Sequence, residues 1–204
     1  MLDQFPWYLA RAGGMVAWWL FGLSIVCGIL LSTRTLGRRP TGPWLLDLHR
    51  FVGGLALIFS GVHLLGLWAD DYVEFGLAEL LVPMASTWRP GAVAWGVVAF
   101  WLLVAIEVTS LVKDHIPDGL WRWIHTASAP GFVFGTVHGL QAGTDVGNPL
   151  LWWSGASIVT AFVGLLAFRL ATMGVDVRPG AGRRGERIRA DLAPPVVEDD
   201  KLPV

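Results

Sequence analysis

Four of the chain's five histidines lie in strongly apolar stretches, His49 and His63 in one and His125 and His138 in another. A polar side chain is expensive inside hydrocarbon and by default signals function. Neutral imidazole is also a common transition-metal ligand. His49 comes five residues after Trp44 and His125 four after Trp121, while His63 comes five before Trp68 and His138 three before Gln141. At the helical rise of about 1.5 Å per residue, the rings form an inner pair roughly 6 to 8 Å inside one end and an outer pair about 20 Å further along. Two facing imidazole pairs at that separation suit two b-type haems, each iron held by one nitrogen from each helix. Bis-imidazole ligation leaves no open position on iron, which favours electron transfer over oxygen binding or substrate chemistry.

The geometry within each helix is unequal. His49 and His63 are fourteen residues apart, which keeps them within about 40° of one helical face. His125 and His138 are thirteen apart, which would leave them about 140° apart on an ideal helix. Pro130 and Gly131 lie between them, and an internal proline kinks or rewinds a helix. This distortion is predicted to bring His138 back to the face of His125. Gly53, Gly54, Gly61, Gly131, Gly135 and Gly139 flank the histidines. They read either as room for a flat porphyrin or as close helix packing.

Few other residues compete for the chemistry. The single Cys27 excludes an internal disulfide, a thiolate zinc site, an iron–sulfur cluster and a covalent haem attachment. Only two carboxylates, Asp47 and Glu107, fall within apolar runs; they read as ion-pair partners of Arg50 and Arg122 or as proton-handling groups. A divalent-metal path would recruit more acidic residues than that. Arg50 and Arg122 either meet haem propionates or snorkel to the headgroups. His115, in Lys113-Asp114-His115-Ile116-Pro117, reads as a solvated loop residue.

The elements that position these groups follow from composition. Of 204 residues, 54% are hydrophobic and 15% charged, against roughly 25% charged in soluble domains, and the mean hydropathy is +0.56. Apolar runs at 13–31, 44–68, 91–112, 121–141 and 150–172 are each long enough to cross a bilayer. They predict an all-α membrane bundle of five transmembrane helices over 13–173, preceded by an external segment, 1–12, and followed by a disordered cytoplasmic tail, 174–204. Little is left for a soluble catalytic domain of about 100 residues. The first run lacks a basic leader and a small-residue cleavage site, so it is expected to be retained. A net charge of −1 gives no footprint for nucleic acid.

Basic residues set the orientation. Arg34, Arg38, Arg39, Lys113, Arg122, Arg169 and Arg178 fall at one set of span ends; at the other, the loop after the second run has Asp70, Asp71, Glu74 and Glu79 against a single Arg89, and the loop after the fourth has only Asp145. The N-terminus is therefore expected outside and the C-terminus in the cytoplasm of a bacterial inner-membrane, multi-pass protein. Trp7, Trp44, Trp68, Trp88, Trp121, Trp123, Trp152 and Trp153 lie near span ends and read as interfacial anchors. Residues 73–82 read as a short amphipathic surface helix. Gly180-Ala181-Gly182-Arg183-Arg184-Gly185 matches G-x-G-x-x-G formally, without the strand and helix that would give the match meaning.

Leu48-His49-Arg50-Phe51-Val52-Gly53 with His63, and Leu120-Trp121-Arg122-Trp123-Ile124-His125 with His138, together resemble the ferric reductase-like transmembrane family. That family includes the membrane parts of ferric reductases and NADPH oxidases and the haem-binding membrane subunit of a bacterial methionine sulfoxide reductase. The resemblance covers roughly residues 15 to 172. It implies electron transfer across the membrane through two stacked b haems, the inner iron held by His49 and His125 and the outer by His63 and His138. Two features depart from the pattern: five predicted spans where many relatives have six, and no C-terminal flavin and nicotinamide domain. A separate donor is thus expected, a flavin reductase or a quinol in the membrane lipid. The external acceptor would be ferric iron, or a partner oxidoreductase such as a methionine sulfoxide reductase or a flavoprotein. A non-redox metal or haem transporter is the rival of another class.

Overall fold

The computed structural model describes residues 4–33, 41–71, 75–144 and 147–172. They contain seven α-helices and no strand: α1 (Phe5–Thr33), α2 (Thr41–Trp68), α3 (Leu77–Leu81), α4 (Pro90–Leu111), α5 (Asp118–Thr126), α6 (Ser128–Ala142) and α7 (Pro149–Thr172). Proline marks where the long helices begin: Pro6, Pro43, Pro90 and Pro149 each lie in a first turn. There the fixed φ is already helical and the missing N–H is one that no preceding carbonyl would have accepted.

Four helices, α1, α2, α4 and α7, are long and apolar enough to cross a membrane. The first begins at Phe5 rather than at residue 13, taking in much of the stretch expected to lie outside. The run at 121–141 is divided at Ala127 into α5 and α6. Pro130 is the reason: it has no N–H for the Thr126 carbonyl and its ring crowds that carbonyl. The Ala127 N–H turns back to Ile124 O (3.0 Å), and the ladder resumes with Gly131 N–H on Ala127 O (2.9 Å). The expected distortion is thus a complete break, placed almost one turn before the proline.

The surface helix expected at 73–82 is confined to α3, with residues 72–74 outside the described residues. His115 closes an exposed 3-10 turn, Lys113–His115. The expected tail at 174–204, with its glycine motif, lies outside the described residues, as do Arg34, Arg38, Arg39, Glu74, Asp145 and Arg178.

α1 packs along α2, and α4 packs along α6. Among the described residues no comparable packing joins α2 to α6, the two long helices that carry histidines. The halves meet in a core formed by Phe21, Ile25, Ile29, Ala56, Leu103, Phe132 and Phe162. Phe132, the largest fully buried side chain, stacks on Trp18 at 5.5 Å and takes Phe21 edge-on at 6.0 Å. The Trp18 indole N–H donates to Thr136 Oγ (2.9 Å). Phe132 is seven residues after His125 and six before His138, so this aromatic cluster fills the bundle between the two histidine levels. On the outside, Phe51, Ile58, Leu65, Leu111 and Trp153 are well exposed. Such a surface would aggregate in water but matches lipid chains as a solvent.

Candidate metal centres

The histidine rings meet across the gap between α2 and the α5–α6 pair. His49 faces His125 with ring centroids 5.8 Å apart and planes at 70°. His63 faces His138 at 6.2 Å and 72°. Two metal–imidazole bonds of about 2.0 to 2.1 Å each, with half a ring behind each nitrogen, add up to roughly 6 Å. Both pairs have that separation, with the rings set edge to face.

Three rings are held in the same way. The Nδ1 atoms of His63, His138 and His49 lie 2.6, 2.8 and 2.9 Å from the backbone carbonyls of Ala10, Ala92 and Ser24. A carbonyl only accepts, so each Nδ1 carries the proton in these contacts, and in the neutral ring Nε2 keeps its lone pair. Metal-bound histidines are oriented by this kind of contact, which also makes the ligand more basic. Ser24 adds a hydroxyl 3.1 Å from His49 Nδ1. His125 is held differently. Its Nδ1 is 3.4 Å from Ser110 Oγ, near the limit for a hydrogen bond. The Trp121 indole N–H donates to the same oxygen at 3.4 Å. The Trp121 ring stacks on His125 at 4.8 Å and 26°, with Lys113 Nζ 4.7 Å from the indole centre. Trp121, expected as a membrane anchor, therefore also packs on the inner histidine pair.

Small residues make room for the rings. A Cβ at Gly14 would stand 2.9 Å from His63 Nδ1, one at Gly96 2.7 Å from His138 Nδ1, and one at Gly28 3.3 Å from His49 Cε1. Sequence reasoning singled out none of these three. A signal existed, because Gly14 and Gly28 are fourteen residues apart, as His49 and His63 are. The glycines that were singled out do not share one environment. Gly53 and Gly131 pack on Glu107 and Phe21, and Gly135 makes ordinary contact with Ala99, whereas Gly54, Gly61 and Gly139 have nothing within 4 Å of a Cβ.

The Glu107 carboxyl lies against α2 at Gly53, about one helical turn from His49. Asp47, Arg50 and Arg122 are exposed. Among the described residues no three His, Cys, Asp or Glu side chains could hold a metal ion together. Each centre offers two protein ligands, whereas a bare zinc-like ion takes four. A porphyrin supplies four in-plane nitrogens and leaves two axial places. Two neutral imidazoles facing each other at that separation fit that group. No family model, curated protein or solved structure matches the chain.

Proposed function

We propose that this chain is a di-haem b membrane subunit of the ferric reductase-like kind, passing single electrons outward across a bacterial inner membrane. The observation that supports it is the pair of imidazole couples, 5.8 and 6.2 Å apart, three of whose rings are tied to backbone carbonyls through Nδ1. α5 and α6, nine and fifteen residues long, together rise about 36 Å, enough for a fifth crossing of a hydrocarbon core of about 30 Å.

Haem, when bound, would supply reversible one-electron exchange. The chain's own residues do the rest. His49 and His125 would hold the inner iron and His63 and His138 the outer. The carbonyls of Ala10, Ser24 and Ala92 fix the tautomer and strengthen three of the ligands. Trp18, Phe21 and Phe132 exclude water from the space between the levels and keep the local dielectric low. The N-terminus lies outside and the C-terminus inside. The donor is a separate flavin reductase or a membrane quinol, and the acceptor is ferric iron or an external partner oxidoreductase. The transporter reading is weaker, because neither centre has the ligand count a bare ion needs.

Purified protein should give reduced b-type absorption bands and two haems per chain by pyridine haemochrome. A chain with no haem, or one whose haem content is unmoved when His63 and His138 are both replaced by alanine, would overturn this reading.

A further inference from the structure

Three of the four histidine seats follow one construction. On the neighbouring helix a carbonyl four residues before a glycine takes Nδ1, and the glycine clears the ring: Ala10 with Gly14, Ser24 with Gly28, Ala92 with Gly96. The two seats on α1 are fourteen residues apart, and fourteen residues along α4 from Gly96 comes Ser110. By that register the fourth seat should be the Ile106 carbonyl cleared by a glycine. Ser110 stands in the glycine's place, and its hydroxyl, not the carbonyl, meets His125.

The exchange changes the chemistry of the ligand. A carbonyl dictates an Nδ1–H tautomer, but a hydroxyl accepts from Nδ1–H or donates to a bare Nδ1 equally well. In the second arrangement the proton is on Nε2, which then has no lone pair for a metal. Ser110 Oγ already accepts from the Trp121 indole, which leaves its own proton to donate. The element that carries His125 is also the least anchored at either centre. α5 has no buried residue and is cut from α6 at Ala127. Trp121, stacked on His125, lies on that same short helix, so the two rings can move together with α5.

On the di-haem reading given above, we infer that His125 is a releasable ligand, so that the inner centre alone binds a small neutral π-accepting ligand of reduced iron, with carbon monoxide as the probe. Ser110 and Trp121 are the positioning residues that make it so. The outer pair, whose two rings are seated on carbonyls, stays closed.

The test uses the full-length, haem-loaded protein, reduced with dithionite and titrated with carbon monoxide while the absorption spectrum and bound gas are followed. One carbon monoxide per two haems is expected. Ser110→Gly, which restores the common seat, should lower that uptake at least tenfold with both haems retained. Ser110→Ala, which removes the hydroxyl with less backbone freedom, should lower it in the same direction. Two haems with no carbon monoxide uptake, or uptake equal in wild type and both Ser110 variants, would overturn the inference while leaving the di-haem reading intact. A purified chain without haem would overturn both.

Discussion

At the outer pair, both rings belong to long helices and both Nδ1 atoms meet backbone carbonyls, at 2.6 and 2.8 Å. At the inner pair, only His49 has such a seat, while His125 rides on the nine-residue α5 beside a hydroxyl at 3.4 Å. The ring separations are nearly the same, 6.2 and 5.8 Å. The two histidine pairs therefore share a side-chain set and differ in the shell behind it. That shell sets tautomer, basicity and freedom of movement, so near-identical pairs need not behave alike toward a metal.

The largest effect comes from removing a ligand outright. His63→Ala should reduce haem from two to one per chain, and the haem left should be the inner one; loss of both haems would show that the centres are not independent. Next is Phe132→Ala, the change that touches both levels alike. Emptying this fully buried site should cost about 3–5 kcal/mol, read as a lower melting temperature in detergent with both haems lost together. If one haem survived unchanged, the aromatic cluster would not be the common support described here.

Glycine substitutions separate the centres more finely. Gly96→Ala places a methyl 2.7 Å from His138 Nδ1 and should weaken outer haem retention by roughly 10–100-fold, the usual range for disturbed outer-shell partners. Gly28→Ala, at 3.3 Å from His49 Cε1, needs only a slight shift and should weaken inner retention by much less. Equal losses in the two variants would contradict the geometry. The smallest effect separates two tryptophans on one helix. Trp121→Leu should alter the inner centre's absorption bands alone. Trp123→Leu, at a site 76% exposed, should leave both spectra unchanged and stability within about 0.5 kcal/mol.

Much of this was legible in the sequence, for physical reasons. Apolar runs of about 20 residues have few alternatives to membrane helices, and histidines at matched depths stand out in them. The break in the fourth run was legible from Pro130, though not its completeness or its place at Ala127. The seats were not legible, because the groups that hold the rings are backbone carbonyls, which every residue has. Gly14 and Gly28 carry a weak signal in their spacing, but it gains meaning only once α1 is known to lie on α2; Gly96 carries none until α4 is known to lie on α6. Trp121 looks like any interfacial tryptophan until its stacking on His125 is seen.

The two halves of the bundle are synthesised in turn, since chains emerge N-terminal end first. α1 and α2 already contain the Ala10 and Ser24 carbonyls and both of the first two histidines, so the first hairpin forms half of each centre before α4 exists. The second hairpin brings the other half, and with little direct packing between α2 and α6, imidazoles from both hairpins closing on one flat molecule would act as bolts between them. Loading of the cofactor and closure of the bundle would then be a single assembly event, and cells starved of porphyrin should accumulate the chain in a loosened, protease-sensitive form.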